Sequence, residues 1–414
     1  MTVILRAAPA DLNPIAASYV KLALALGGHD GDYVDAYFGP AEWRTAAQVE
    51  KLPLARIKEN AGALRTGLGA MNTSGFTALD LLRREYLVKQ LRAMAARVEM
   101  LEGRKFTFDE ESSLVFDAVA PVNSAAHFDA ILGELEKALP GPGPLAARVQ
   151  AYRNQFVIPP DKVDAVFRAA IAAARERTLR HIALPANESF TVEYVTGKPW
   201  GGYNWYQGNF HSLIQVNTEL PIYIDRAVDL AAHEGYPGHH VYNALLEKNL
   251  LRDRGWVEFS VYALFSPQSL IAEGSANYGV DVAFPGAERV AFERDVLFPL
   301  AGLDPAKAAG YYHFLDLLKA LGFAGNEAAR RYLNGEIKAD ETVAWLTHYA
   351  FQEPVRAQRS IRFYDQYRSY VINYNLGRKM VEDYVERRAA GDPERRWQEF
   401  KDLISSPRLP SGLK

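Results

Sequence analysis

The chain has 414 residues, enough to bury a large core, and its 49% hydrophobic and 23% charged content is that of an ordinary folded protein rather than a disordered one. A formal net charge of −3, with no basic stripe, excludes a general electrostatic attraction to nucleic acid or to an anionic membrane. The sequence contains no cysteine, which excludes disulfides, iron–sulfur clusters and thiol catalysis and restricts any zinc site to histidine and carboxylate ligands.

Taken in chain order, the N-terminus Met1-Thr2-Val3-Ile4-Leu5-Arg6-Ala7-Ala8-Pro9 lacks a basic start followed by a long apolar run, and the apolar segment at 22–26 is too short to span a bilayer. A cytoplasmic protein is expected. Residues 12–26 have apolar side chains at helical spacing, and 77–101 is a long run of good helix formers without Gly or Pro. No regular element crosses Pro140-Gly141-Pro142-Gly143-Pro144. It serves as a joint between an N-terminal helical region, 1–140, and a metal-binding region, 141–414, or as a surface loop in one continuous domain.

A further helix is expected over 162–182, with Asp161 as its N-cap. Residues 189–196 and 211–218 alternate β-branched and aromatic side chains and read as strands, with a loop or hairpin over 197–209. A small antiparallel sheet just ahead of the next helical segment follows. Residues 363–388 and 395–404 read as helices, so the fold class is mainly α.

The most informative stretch is His233-Glu234-Gly235-Tyr236-Pro237-Gly238-His239-His240. In H-E-x-x-H zinc hydrolases, two histidines one helical turn apart hold the metal and the glutamate activates its water. Here Pro237 occupies the second histidine's place. In an unbroken helix His233 and His239 would point roughly 120° apart, and His233 and His240 would be separated by about 10 Å along the axis. Two zinc-bound nitrogens lie within about 4 Å of one another, so neither pair fits.

Pro237 has no N–H to give to the carbonyl of His233, and its ring clashes with that carbonyl. Gly238 permits backbone angles closed to other residues. A bulge of about two residues there would bring His239 round to the metal, as in π-bulged functional helices. His239 is the expected second ligand and His240 the reserve. A catalytic zinc needs a third protein ligand. Glu273, an acidic residue amid small and apolar neighbours, is the best candidate, since a buried carboxylate without a partner is costly. Asn277 and Asp281, one and two turns on, are candidates to orient a ligand.

These residues resemble a known set. Residues 233–240 are similar to the H-E-x-x-P-G-H-H signature of a bacterial domain-of-unknown-function family regarded as zinc metallopeptidases related to the gluzincins. Ala272-Glu273-Gly274-Ser275-Ala276-Asn277-Tyr278 resembles its E-G-W-A-x-Y element, with Ser275 where Trp is usual. Gln215-Val216-Asn217-Thr218 resembles the strand ahead of the metal helix, Tyr374-Asn375-Leu376-Gly377-Arg378 the late Y-x-x-G helix, and 400–413 the closing segment. The similarity is spread in order over about residues 120–414.

The resemblance implies a large helical metallopeptidase-like fold with a deep cleft and the small sheet beside the metal-binding helix. One Zn2+ on His233, His239 and Glu273 would acidify a water and polarise a substrate carbonyl, with Glu234 as general base. The resemblance points to Tyr374 as donor to the oxyanion, with Tyr311, Tyr312 and His211 behind it. The 211–218 strand is a candidate to bind an extended peptide by its edge, with His211 and Asn217 as substrate contacts. Arg378, with Arg356, Arg359 and Arg362, is a candidate partner for a substrate carboxylate. The expected substrate is a short or unfolded peptide or a small amide. The alternatives are hydrolysis of a non-peptide amide or ester by the same residues, and a noncatalytic, metal-containing peptide-binding protein. A third has no metal, the histidines merely packing a kinked helix.

Overall fold

The structure is a computed structural model that describes residues 11–198 and 200–414. The N-terminal residues from which a cytoplasmic location was expected lie outside the described part, apart from the apolar segment at 22–26. No helix among the described residues is long and apolar enough to cross a membrane.

The fold is mainly α-helical, and several helices begin at a side-chain cap. Thr77 caps the Ala78–Leu101 helix in a reciprocal box, its hydroxyl accepting from Asp80 N and Asp80 accepting from Thr77 N at 3.0 Å. The helix buries Arg83, Tyr86, Leu87, Gln90, Leu91 and Met94 on one face. Two of its buried polar groups are answered from far along the chain: Arg83 makes a two-point ion pair with Glu258 at 2.6 and 3.0 Å, and Tyr86 donates to Gln268 at 2.7 Å. One apolar core runs from Leu12 to Leu413.

Two expected helices differ in detail. The one foreseen at 162–182 spans Val163–Leu179, and Asp161 sits in a short preceding turn rather than at the cap. The one foreseen at 363–388 is broken into Pro354–Tyr367 and Ile372–Ala389. Arg368, at φ 52°, turns the chain, and Glu111 fixes the turn by accepting from Arg368 Nε, Ser369 N and Ser369 Oγ at 2.6–3.0 Å. That anchor comes from a residue more than 250 positions away, so local propensity carried no sign of it.

The small sheet lies beside the motif helix, as expected. Its strands are β2 (Ser189–Val195), β3 (Gly202–Gly208) and β4 (His211–Asn217), after β1 (Val34–Tyr37) in the N-terminal part. The order is β2-β4-β3, with β3 antiparallel and β2 parallel to β4. The segment 197–209 thus contributes a third strand, where a loop or hairpin was expected. Its insertion makes β4 the central strand, so β4 has no free edge for a peptide; β2 and β3 form the edges. A second, two-stranded antiparallel sheet pairs β1 with β5 (Val261–Ala263).

The centre of the molecule is the Pro267–Ala283 helix, buried on nearly every face. It meets the Ile372–Ala389 helix backbone to backbone. A Cβ on Gly274 would stand 2.5 Å from the Gly377 carbonyl oxygen, and one on Gly377 would stand 2.8 Å from that of Leu270. Two glycines in register therefore let the two helices touch, and their neighbours Glu273 and Tyr374 are brought to one site.

Candidate metal centre

The motif helix is Asp225–Leu230, and it widens into a π-helical turn over Ala231–Gly235. Tyr236 N donates to Ala231 O at 3.0 Å, Gly238 N donates to Ala232 O at 2.9 Å, and Tyr236 is extended. A new helix, His239–Leu246, then begins. The break expected at Pro237-Gly238 is present. Gly238 is obligatory for space, because a Cβ there would fall 1.9 Å from His233 O.

This interruption brings the two histidines together. His233 Nε2 and His239 Nε2 face each other at 3.1 Å with their rings 89° apart. Glu273 Oε2 lies 3.4 Å from the first and 3.6 Å from the second. A tetrahedral ion with bonds of about 2.0–2.1 Å holds its ligand atoms roughly 3.3 Å apart, and the three separations bracket that value. Glu273 Oε2 is buried and has no hydrogen-bond partner, a costly state for a carboxylate oxygen. The donor set therefore fits a divalent cation. Glu234 stands beside it, with Oε1 4.0 Å from His233 Nε2, and His233, Glu234 and His239 form a group able to hold a metal ion.

Burial opposes charge on Glu273, but the flanking His233 and His239 outweigh it and hold its carboxyl well below the usual range. His239 shows the reciprocal effect: burial pulls its pKa down, while Glu273, Glu234 and Asp35 together raise it. Three carboxylates, those of Glu273, Glu234 and Asp35, thus act on the His239 imidazole.

Tyr370, which sequence reasoning passed over, donates to Glu273 Oε1 at 2.9 Å and leaves Oε2 free to face the histidines. The broken helix at Arg368 is what delivers it. Asp35 was also missed. It lies in the irregular β1 register between Val34 and Ala36, a bulge that re-aims a side chain, and accepts from Tyr203 at 2.8 Å. Burial lifts its pKa, with smaller lowering by Tyr203 and His239. Nothing local in the sequence marks it. Asn204 on β3 holds the Glu234 carbonyl at 2.7 Å, and the Gly202 backbone lies against the Glu234 carboxylate.

The remaining expected residues divide cleanly. Tyr374 is beside the site, packed on Tyr370 and Phe363. Burial, then Glu273 and Glu234, push its pKa well above the ordinary value, so its hydroxyl stays a donor. His240 is not a ligand in this arrangement: it is fully buried, with Nδ1 2.9 Å from Ser212 Oγ and Nε2 2.9 Å from Glu188 Oε2. Tyr311 donates to Asp225 at 2.6 Å, and Tyr312 lies against the Arg289–Glu293 pair, both away from the cluster.

His211, expected as a substrate contact, sits three residues along β4 from Ile214, the partner of Asn204, and so about 10 Å away; it faces Ser189 Oγ at 3.1 Å. Asn217 spends its amide on the Lys198 and Trp200 carbonyls and its oxygen on Glu219 N, shaping the turn before β3 rather than holding a peptide. Arg378 is consumed by Asp281 at 2.5 Å and Glu382 at 3.0 Å, which also removes Asp281 as an orienting group. Asn277 reaches only the Tyr374 carbonyl, at 3.3 Å.

No family model matches the chain, and no curated protein does. Among solved structures, it is similar to a candidate lipoprotein from Colwellia psychrerythraea, with TM-score 0.53 and 14% identity over 98% of this chain and 75% of that one. This likeness concerns the fold. A candidate lipoprotein of unknown function from Shewanella oneidensis aligns at TM-score 0.49 and 16% identity, over 96% of this chain and 81% of that one. The M32 carboxypeptidase of Deinococcus radiodurans R1 aligns at TM-score 0.41 and 14% identity, over 95% and 89%.

Proposed function

We propose that the protein is a zinc-dependent hydrolase that cleaves short or unfolded peptides. The observation that carries this reading is the convergence of two imidazole nitrogens and one partnerless carboxylate oxygen within 3.1–3.6 Å, with a second carboxylate 4.0 Å away. His233, His239 and Glu273 would hold the ion. When bound, a divalent cation supplies Lewis acidity to a carbonyl and lowers the pKa of water toward neutrality. A nitrogen-rich set with one carboxylate suits zinc, and the same donors accept manganese or cobalt.

Glu234 takes the proton of the attacking water and passes it to the leaving nitrogen; its place next to His233, backed by Gly202 and Asn204, fixes it at the cluster. Tyr374, kept protonated by burial and by two carboxylates, donates to the oxygen on which charge develops. Tyr370 orients Glu273. A general base beside the ligand set favours a catalytic role over a structural metal. The H-E-x-x-P-G-H-H resemblance supports the same assignment, and a cytoplasmic location belongs to the proposal, to be checked by cell fractionation.

The deciding experiment is metal analysis of the purified protein with peptidase assays of wild type and Glu234→Gln. One equivalent of metal in both, with turnover reduced by about 10²–10⁴-fold in the variant, is expected. A protein without stoichiometric metal whose hydrolysis no divalent ion supports would overturn the reading. Cleavage of esters or non-peptide amides but not peptides would transfer the same residues to the other hydrolase class.

A further inference from the structure

A second charged constellation lies beside the metal centre, and the mechanism above makes no use of it. Arg153, Arg226 and Arg356 come from three separate elements: the end of the Leu145–Arg153 helix, the first turn of Asp225–Leu230, and the first turn of Pro354–Tyr367. Arg153 lies over the Tyr223 ring at 4.1 Å, which fixes the plane of its guanidinium, and its buried Nε has no partner. Arg226 reaches Asp229 at 3.3 Å, but Asp229 is held more closely by Arg289, at 2.9 Å. Arg356 makes no ion pair with any described residue. One turn on, Arg359 meets Glu219 at 3.5 Å, which ties this helix to the chain leaving β4.

The acidic groups here answer mainly to Arg289, which holds Asp229 at 2.9 Å and Glu293 at 2.8 Å, and burial lifts Glu293 to about 7. Asp225 is also raised, by burial and by its neighbour Asp229. Arg356 is open to solvent yet hemmed in by protein: desolvation, then Arg226 and Arg153, lower its pKa, and Tyr223 and Glu353 offset this only in part. Arg226 has Asp229, but Arg356 has no ion pair among the described residues and the buried Nε of Arg153 has no acceptor, so donors on two of the three guanidiniums stay open to an anion from outside.

Two independent elements set the distance from these arginines to the metal centre. Arg226 precedes His233 by seven residues on one continuous helical path, a rise of about 10 Å. Arg356 precedes Phe363 by seven residues on another helix, again about 10 Å, and Phe363 packs on Tyr370 and Tyr374 at the Glu273 end. An extended peptide advances about 3.3 Å per residue, so two or three residues bridge the gap.

We propose that Arg356, with Arg226 and Arg153, receives the C-terminal carboxylate of the substrate, so that the protein removes di- or tripeptides from the C-terminus of short peptides. The proposal rests on the peptidase reading and supplies its direction. The guanidiniums orient the chain with its carboxylate toward them and its scissile bond toward the metal-binding residues. Guanidinium groups suit this task because they meet a carboxylate with two parallel hydrogen bonds.

The test uses one peptide sequence with a free and with an amidated C-terminus. In the wild-type protein, amidation is expected to raise KM about 10–100-fold with kcat little changed, as for a lost charge-assisted bond of about 1.5–3 kcal/mol, and mass spectrometry of the free acid should show a released di- or tripeptide. Arg356→Gln should handle both forms alike, and Arg356→Lys should restore part of the preference. In Glu234→Gln, calorimetry should show the free acid binding more tightly than the amide, and Arg356→Gln added to it should abolish the difference. Equal KM and equal binding for acid and amide overturn the proposal and leave the peptidase reading intact. So does a preference for the acid that survives Arg356→Gln. An arginine-dependent preference in binding, with no peptide cleaved by the metal-loaded wild type, sustains the carboxylate site and overturns the peptidase reading.

Discussion

His239 and His240 are adjacent in the chain and stand at the edges of two polar clusters built on opposite principles. Around His240 every group has an answer: Ser212 and Glu188 take its two nitrogens, and Glu188 is also reached by Tyr236 and by Arg175 at 2.7 Å each. That cluster is closed and internally paired. Around His239 two nitrogens face each other, one carboxylate oxygen has no partner, and side-chain exposure of 15% leaves both imidazoles accessible. A polar cluster completed by its own residues holds a fold together. One whose lone pairs converge on a common point is able to hold an ion.

The contrast predicts a separation of effects. His239→Ala should remove stoichiometric metal and reduce hydrolysis at least as far as Glu234→Gln does, while the metal-free protein melts close to the metal-free wild type. His240→Ala should destabilise the protein with or without metal by about 1–3 kcal/mol, because the buried Glu188 keeps Arg175 and Tyr236 but loses its third partner; thermal and denaturant unfolding of both forms measure it. If the two substitutions behave alike in both assays, the division between the clusters is wrong.

A smaller effect probes the carboxylate on which the open cluster depends. Tyr370→Phe keeps the ring packing but removes the donor to Glu273 Oε1. Metal affinity should fall about 10–100-fold, as for other groups that orient a ligand, and the metal-free protein should lose about 1–3 kcal/mol because Glu273 Oε1 is left buried without a donor. Competition with a chelator of known affinity reads this directly, and an unchanged affinity removes Tyr370 from the site.

The smallest effect distinguishes the clusters by pH. Burial acts to raise the Glu188 pKa, but His240, Tyr236 and Arg175 outweigh it and bring it from 4.5 down to about 2. A depressed carboxyl contributes stability that is present above its unfolded value and is lost as pH falls through the folded one. The stability owed to Glu188 should therefore be intact above about 4.5 and decline from there toward about 2. Glu188→Gln should flatten that part of the stability profile of the metal-free protein; an unchanged acid limb would contradict the assigned ion pair.

The sequence by itself determined the helical class, the positions of the main helices, and the residues at the core of the candidate metal site. His233, Glu234, His239 and Glu273 were legible because their chemistry is local: a helix breaker between two histidines, and an acidic residue among small apolar neighbours on a helix. Tyr374 was named from the family resemblance, and it lies beside these residues. The sheet was half legible, since alternation marks strands but says nothing of pairing, and β4 became the central strand only when β3 folded against it.

Tertiary structure alone decided the rest. Tyr370 reaches Glu273 because Glu111 holds a turn at Arg368, and the two helices approach closely enough because Gly274 and Gly377 lie in register. Asp35 arrives by a bulge in a strand some 200 residues before the motif. His211, Asn217 and Arg378 looked available for substrate, and each is spent on partners within the fold. Local order in a chain follows from spacing and propensity, but whether a polar side chain is free depends on which groups the fold sets against it. A linear sequence carries no record of those distances.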